Sequence, residues 1–109
     1  KGGSIRKIQN SWVILIEYGF WLGLDEMEQK ALLAHELGHI IFWPPACVTN
    51  LSCQEGADLF AAVHTSPDAT IGLLNKLGNT VSDPKYIAEF RARIQNIEKL
   101  KPHQSLPKQ

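Results

Sequence analysis

The sequence has no excess of charge of either sign and no long hydrophobic run. Eleven Lys and Arg residues balance eleven Asp and Glu residues, and neither sign forms a long run. This composition argues against a nucleic acid or an anionic membrane as the partner. No apolar run is long enough to span a bilayer, and no signal-peptide pattern is present. We therefore expect no membrane segment in this chain and a cytoplasmic location.

Internal repeats and interdomain linkers are missing too. The 109 residues, 44% of them hydrophobic, are enough for one domain with a modest core. We expect this single domain to occupy residues 1–109. Its tail, residues 102–109, has too few apolar residues to fold alone and is expected to be flexible.

Cysteine is scarce, with only Cys47 and Cys53 at the two ends of the segment CVTNLSC. Five intervening residues permit a disulfide in an oxidising compartment, whereas free buried thiols are the default in the cytosol. The pair could also bind a metal ion, although His and Glu residues elsewhere already make a sufficient site. We favour free thiols.

What the sequence does contain is the motif HELGH at residues 35–39, inside a long apolar segment. Asp25 and Glu28 match a capping box just before this segment. Pro44 and Pro45 follow it and would stop a helix. We therefore predict one largely buried helix that carries the motif.

The motif predicts a metal site with a base beside it. On a helix, His35 and His39 project from the same face, one turn apart, so both can bind one tetrahedral zinc ion. Glu36 lies about 100° round the helix from His35, beside the metal rather than on it. That position suits a general base acting on metal-activated water. This is the H-E-x-x-H pattern of zinc metallopeptidases.

The rest of the chain predicts an α+β fold, with a small sheet packed on a bundle of about four helices. Two strands are predicted over residues 4–9 and 12–16, with a turn at Asn10-Ser11 between them. Three helices should follow the HELGH helix. They begin near Ser52, at Ser66-Pro67 and at Asp83-Pro84, and they end near His64, Gly78 and Pro102.

The chain resembles the gluzincin metallopeptidases in two runs, WVILIEYGFWLGLDEMEQKALLAHELGH and QEGADLFAA. It is most similar to the catalytic core of HtpX-type enzymes, and it is also similar to single-domain minigluzincins and to ImmA-type peptidases. The resemblance covers about residues 12–64. It implies a minimal zincin domain with one zinc ion, in which a second helix supplies a Glu ligand from an E-x-x-A-D-like motif. The membrane-spanning helices of HtpX-type enzymes are missing from this sequence.

A zinc ion held by two His residues needs a third protein ligand and keeps its fourth position for water. Glu55 is our candidate, because it lies sixteen residues past His39 at the start of the next helix. Asp58, one turn later on the same face, would then hydrogen-bond a ligating His and fix its tautomer.

Alternatives to Glu55 stay open. In the gluzincin motif the Glu usually precedes the Asp by four residues, and Gln54 occupies that position here. Gln54 ranks lowest because it brings no charge to balance the metal. Ser52 and Glu55 also match a capping box, in which Glu55 would bind a backbone N–H and Asp58 could be the third ligand.

The predicted function is a zinc-dependent endopeptidase acting on peptides or unfolded chains. Glu36 would take a proton from the metal-activated water and deliver it to the leaving amine. A further donor should stabilise the oxyanion. Four residues are candidates for this role: His64, Tyr86, Arg91 and Arg93. The edge of the strand at residues 12–16 could bind an extended substrate.

Two other functions stay open. His103, in the tail, could enter the cleft and occupy the open metal position, which would make the chain a latent peptidase. If HELGH is a coincidence, the chain is instead a non-catalytic helical interaction module. Such a module should purify without metal.

Overall fold

A computed structural model describes residues 3–44 and 46–101 of the chain. Two antiparallel strands come first and helices follow, so the predicted α+β fold is confirmed. Over these residues the elements are β1 (Gly3–Ile8), β2 (Ser11–Ile16), α1 (Tyr18–Leu22), α2 (Glu26–Ile41), α3 (Asn50–His64), α4 (Pro67–Gly78) and α5 (Pro84–Glu98). None of these helices is both long enough and apolar enough to cross a membrane.

The sheet is a hairpin in which Gly3 pairs with Ile16 at one end and Ile8 pairs with Ser11 at the other. Gln9 and Asn10 form the two-residue loop, one position earlier than predicted. Gln9 has a φ of 55°, the left-handed region that a tight hairpin turn demands. Because the described sheet has only these two strands, each strand keeps one unpaired edge.

Helix α2 begins where the capping-box pattern predicts. The Asp25 side chain accepts a hydrogen bond from the backbone N–H of Glu28 at 2.8 Å, and the Glu28 carboxylate accepts one from the N–H of Asp25 at 3.0 Å. The helix ends at Ile41, before Pro44. Its buried face packs Ala31 and Leu32 into the main core.

Helix α3 starts earlier than predicted. Thr49 caps it, accepting from the N–H of Ser52 at 3.0 Å, while the Ser52 hydroxyl accepts from the N–H of Thr49 at 2.9 Å. The predicted start near Ser52 is therefore wrong, because Ser52 is the capping partner and not the cap. Glu55 lies in the second turn of α3 and does not cap the helix.

Two apolar clusters meet on α4. One contains Leu32 of α2 and Leu73 of α4, and the other contains Leu74 of α4 and Ile97 of α5. Ser66 and Asp83 cap α4 and α5, and Pro67 and Pro84 occupy their first turns, as predicted. Helix α1 was not predicted; the Glu17 carboxylate caps it by accepting from the N–H of Phe20.

Helices α2 and α3 pass each other closely at Gly38. A Cβ added to Gly38 would lie 2.8 Å from the Cα of Ala57 and 3.1 Å from the carbonyl oxygen of Ala57. The backbones are therefore in direct contact at the fourth residue of HELGH. This contact brings the two histidines of α2 against the first turns of α3.

Replacing Gly38 with alanine should lower the free energy of unfolding by about 1–3 kcal/mol, the usual penalty for overpacking. Alanine is the better helix former, but here its methyl group would push the two helices apart. Gly19→Ala in α1 is the control, because its added Cβ would lie no closer than 3.4 Å to the flexible Glu17 side chain. Urea unfolding of both variants checks this, and a Gly38→Ala chain as stable as wild type would contradict it.

Cys47 and Cys53 form a disulfide, so the expectation of free thiols is wrong. The chain turns back after α2, and the early start of α3 at Asn50 places the two Cα atoms 5.2 Å apart, a separation that a disulfide can bridge. Disulfides are typical of oxidising compartments. The structure does not confirm the cytoplasmic location, which stays a prediction.

Reducing this disulfide should lower the free energy of unfolding by about 2 kcal/mol, the chain-entropy value for so short a closed loop. Thermal unfolding with and without a thiol reductant measures the effect. The double variant Cys47→Ser/Cys53→Ser should resemble the reduced wild type and should not respond to reductant. An unchanged Tm on full reduction of the wild type would argue against a structural role for this bond.

Candidate metal centre

HELGH lies on the floor of a cleft of about 570 Å³. Helix α2 contributes His35, Glu36 and His39 to the lining. The start of β1, at residues 3–5, and one face of α5 also line the cleft. The first turns of α3 and the C-terminal end of α4 complete the lining. The volume falls in the range of sites that bind small ligands or short peptide segments.

Three potential ligand atoms converge on this floor. The Nε2 atom of His39 lies 3.1 Å from Nε2 of His35 and 3.1 Å from Oε1 of Gln54. A tetrahedral zinc ion with bonds of 2.0–2.1 Å holds its ligand atoms about 3.3 Å apart. The two separations at His39 are close to that value, and they are also ordinary hydrogen-bond distances. The two imidazoles and the Gln54 amide oxygen are therefore the candidate ligand set.

The predicted ligand Glu55 is not brought to this place. It does not line the cleft, since each step along a helix rotates the side chain by about 100° and Gln54 takes the inward direction. Among the described residues, no group of three His, Cys, Asp or Glu side chains could hold a metal ion. The α3 side chain that contacts His39 is thus the amide of Gln54 and not a carboxylate.

Asp58 is committed elsewhere and does not take the third position. Its carboxylate accepts from Arg93 Nε at 2.7 Å and from Nη2 at 3.0 Å, a fully buried two-point contact between α3 and α5. Its Oδ1 also lies 3.0 Å from Nδ1 of His35, although the ring is not aligned for a hydrogen bond in this contact. Asp58 therefore stands behind His35, at the ring nitrogen that faces away from the candidate metal position.

The pKa of Asp58 lies below its usual value. Burial alone would raise the pKa, but the Arg93 guanidinium and the neighbouring His35 outweigh burial and lower it. Asp58 is therefore anionic near neutral pH, and Arg93 balances its charge. An anionic group at Nδ1 favours a proton on that nitrogen, which leaves Nε2 free to bind a metal.

His39 is neutral near pH 7. Burial and the nearby His35 lower its pKa from 6.5 to about 4. A neutral imidazole is the form that binds a metal. The local environment therefore keeps this ring ready as a ligand over the physiological pH range.

Comparison with protein-family models, curated proteins and solved structures found no match. The resemblance to gluzincins therefore rests on the motifs in residues 12–64. Within those motifs, the structure puts Gln54 where the gluzincin spacing places the Glu ligand, four residues before Asp58. The motif spacing had indicated Gln54 as the ligand, and only the lack of charge on its side chain argued against that choice.

Glu36 is buried beneath the start of β1. It is 4% exposed, and a Cβ added to Gly3 would lie 3.0 Å from its Oε2 atom. A side chain at this position would make the carboxylate or the strand shift by a small distance. Glu36 thus faces the same cleft as the two histidines, between the metal helix and the strand.

The four candidate oxyanion donors differ in whether they line the cleft. Tyr86 lines the cleft from α5, and Arg93 also lines it but is bound to Asp58. Arg91 and His64 do not line it; His64 is exposed at the end of α3 and packs on the ring of Phe60 at 4.2 Å. His103, the tail residue that could occupy the open metal position, lies outside the described residues.

The strand that lines the cleft is β1, not the predicted segment 12–16. Residues 3–5 of β1 line the cleft, whereas no residue of β2 does. The weaker strand pattern in the sequence is therefore the one next to the candidate site. The role of Arg93 was also missed, because 35 residues separate it from Asp58 and no local pattern links them.

Proposed function

We propose that this chain is a zinc-dependent peptidase in which His35, His39 and Gln54 hold the metal ion. The observation that carries this proposal is the convergence of His35 Nε2, His39 Nε2 and Gln54 Oε1, with separations of 3.1 Å about the central His39. The buried Glu36 in the same cleft and the Asp58 contact behind His35 support it.

A bound zinc ion would supply Lewis-acid activation of water and of the scissile carbonyl group. Glu36 accepts the proton of the attacking water and passes it to the leaving amine. Asp58, which Arg93 binds, lies at Nδ1 of His35 and favours the tautomer whose Nε2 can bind the metal. Tyr86, whose phenol lines the cleft from α5, is the remaining candidate to donate a hydrogen bond to the oxyanion.

The substrate would be an extended peptide lying between β1 and α5. The free edge of β1 offers backbone donors and acceptors that can pair with an extended chain. A folded protein would not present such a segment, so short peptides and unfolded chains are the substrate class that we propose.

The amide at the third position favours one alternative function. Gln54 is neutral, so it leaves the charge of the metal less balanced than a carboxylate would, and it should bind the metal more weakly. A chain with such a site could bind peptides in a metal-dependent manner without cleaving them. This alternative and the peptidase differ in turnover but not in metal binding.

The test combines peptide hydrolysis with zinc affinity. Zinc-loaded wild type should cleave quenched fluorescent peptides, lose this activity with a chelator and regain it with zinc. Gln54→Glu should tighten zinc binding at least about tenfold, which is about 1.4 kcal/mol, because it adds a charge at the ligand position. Glu55→Gln, one residue further, is the matched control and should leave the affinity unchanged.

The outcomes separate the alternatives. Zinc and peptide binding without cleavage would favour the binding module over the peptidase. Weaker zinc binding in Glu55→Gln, with no gain in Gln54→Glu, would return the third ligand to Glu55 and contradict the site described here.

A further inference from the structure

One face of α5 forms a wall of the cleft. Tyr86, Glu89, Phe90 and Arg93 all line it, and their spacing places them on one side of the helix over two turns. Two of these residues already have a role: Arg93 binds Asp58, and Phe90 packs against the second core cluster. Glu89 is the acidic residue of this face, one turn from Arg93.

Within residues 3–44 and 46–101, no side chain or backbone group gives the Glu89 carboxylate a hydrogen bond or an ion pair. The nearest cation of this face, Arg93, is bound to Asp58 and not to Glu89. Glu89 therefore offers a carboxylate at the wall of the cleft.

Apolar side chains line the same cleft as Glu89. They are Leu32, Leu77, Val81 and Phe90, which lie on α2, at the end of α4, after it and on α5. Apolar walls lower the local dielectric and strengthen the field of a carboxylate next to them. A ligand group that suits both features must have a long apolar part and a cationic end, as the side chains of Lys and Arg do.

We infer that Glu89 and this apolar wall (Leu32, Leu77, Val81 and Phe90) form a subsite for a basic side chain of the substrate. The methylene groups pack on the wall, and the ammonium or guanidinium group pairs with Glu89. Because Glu89 lines the same cleft as His35 and His39, the basic residue binds in the cleft where the peptide bond is cleaved. This inference rests on the proposed peptidase function and names its substrate class.

Binding of uncleaved peptides tests the subsite apart from catalysis. The probes are fluorescent peptides with blocked ends that differ at one residue, which is Arg, Lys, norleucine or Glu. They are titrated into wild type with zinc and with a chelator. Wild type should bind the Arg and Lys peptides about tenfold more tightly than the norleucine peptide, the gain expected of a partly buried charge pair. The Glu peptide should bind most weakly.

Variants of α5 complete the design. Glu89→Gln should equalise the affinities for Arg and norleucine, and Glu89→Lys should make the Glu peptide the preferred one. Glu98→Gln, an exposed α5 residue outside the cleft, is the matched control and should keep the wild-type order. An Arg preference that survives in Glu89→Gln would overturn the inference. Equal affinities of the wild type for the Arg and norleucine peptides would overturn it too.

The experiments distinguish a failure of the peptidase proposal from a failure of the subsite proposal. If no peptide is hydrolysed but the charge preference is present and depends on Glu89, the subsite stands and the peptidase proposal fails. If peptides are hydrolysed with no preference for a basic residue, the peptidase stands and the subsite is overturned.

Discussion

Replacing Glu36 with glutamine should slow peptide hydrolysis by about 10²–10⁴-fold, the usual contribution of a positioned general base. Glutamine has nearly the same shape but cannot accept the proton of the attacking water. Glu36 is buried beside β1 and is not one of the converging ligand atoms, so the zinc affinity should stay at the wild-type value. Initial rates on one peptide, together with a zinc titration, measure both quantities.

The control is Glu26→Gln, on the same helix but exposed and paired with Lys30 on the surface. It should change neither the rate nor the zinc affinity. Equal rates for Glu36→Gln and wild type would show that Glu36 is not the base. A parallel loss of zinc would instead make Glu36 part of the metal site.

Replacing Arg93 with methionine should lower the free energy of unfolding by about 3–5 kcal/mol, because it leaves the buried charge of Asp58 without its partner. Asp58 is 0% exposed, so water cannot take over the lost hydrogen bonds. A small domain has only about 5–15 kcal/mol of stability in total. The variant should therefore unfold at a much lower urea concentration, measured by circular dichroism.

Two further variants separate charge from packing. Arg91→Met, exposed on the same helix, should change the stability by no more than about 0.5 kcal/mol. Adding Asp58→Asn to Arg93→Met should recover part of the loss, because no buried charge remains. A loss below about 1 kcal/mol in Arg93→Met would contradict the buried ion pair.

The pH dependence of the wild type's folding stability follows from the same Asp58–Arg93 ion pair. The pKa of Asp58 is lower in the folded chain than in the unfolded one, so its contribution to stability is complete above about pH 4. The contribution is lost as the pH falls further, toward the folded pKa. Arg93→Met should lack this part of the acid dependence.

Local patterns were sufficient for most of the fold. The reciprocal bonds of Asp25 and Glu28, and the caps at Ser66 and Asp83, are short-range chemistry that can be read within four residues. Helix α1 was missed because five residues with a glycine carry no helical periodicity. The start of α3 was misplaced because Thr49 and Ser52 cap each other, and a serine at the third helical position does not match the usual capping-box pattern with Glu or Gln.

Predicting the site from the sequence was harder, because it depends on contacts between distant segments. His35, Glu36 and His39 lie within one motif, and the structure places all three in one cleft. Choosing between Gln54 and Glu55 required the rotation of α3 against α2, which the Gly38 contact sets. Local charge favoured Glu55, whereas the packing of the helices brings Gln54 inward.

Zinc content tests the central claim of this account most directly. The chain is stripped with a chelator, reloaded with zinc, freed of unbound metal by gel filtration and analysed by elemental analysis. The account predicts about one zinc ion per chain for wild type and for Glu55→Gln, and almost none for the double variant His35→Ala/His39→Ala. Wild type without zinc, or full retention of zinc by the double variant, would contradict the metal centre and the peptidase function built on it.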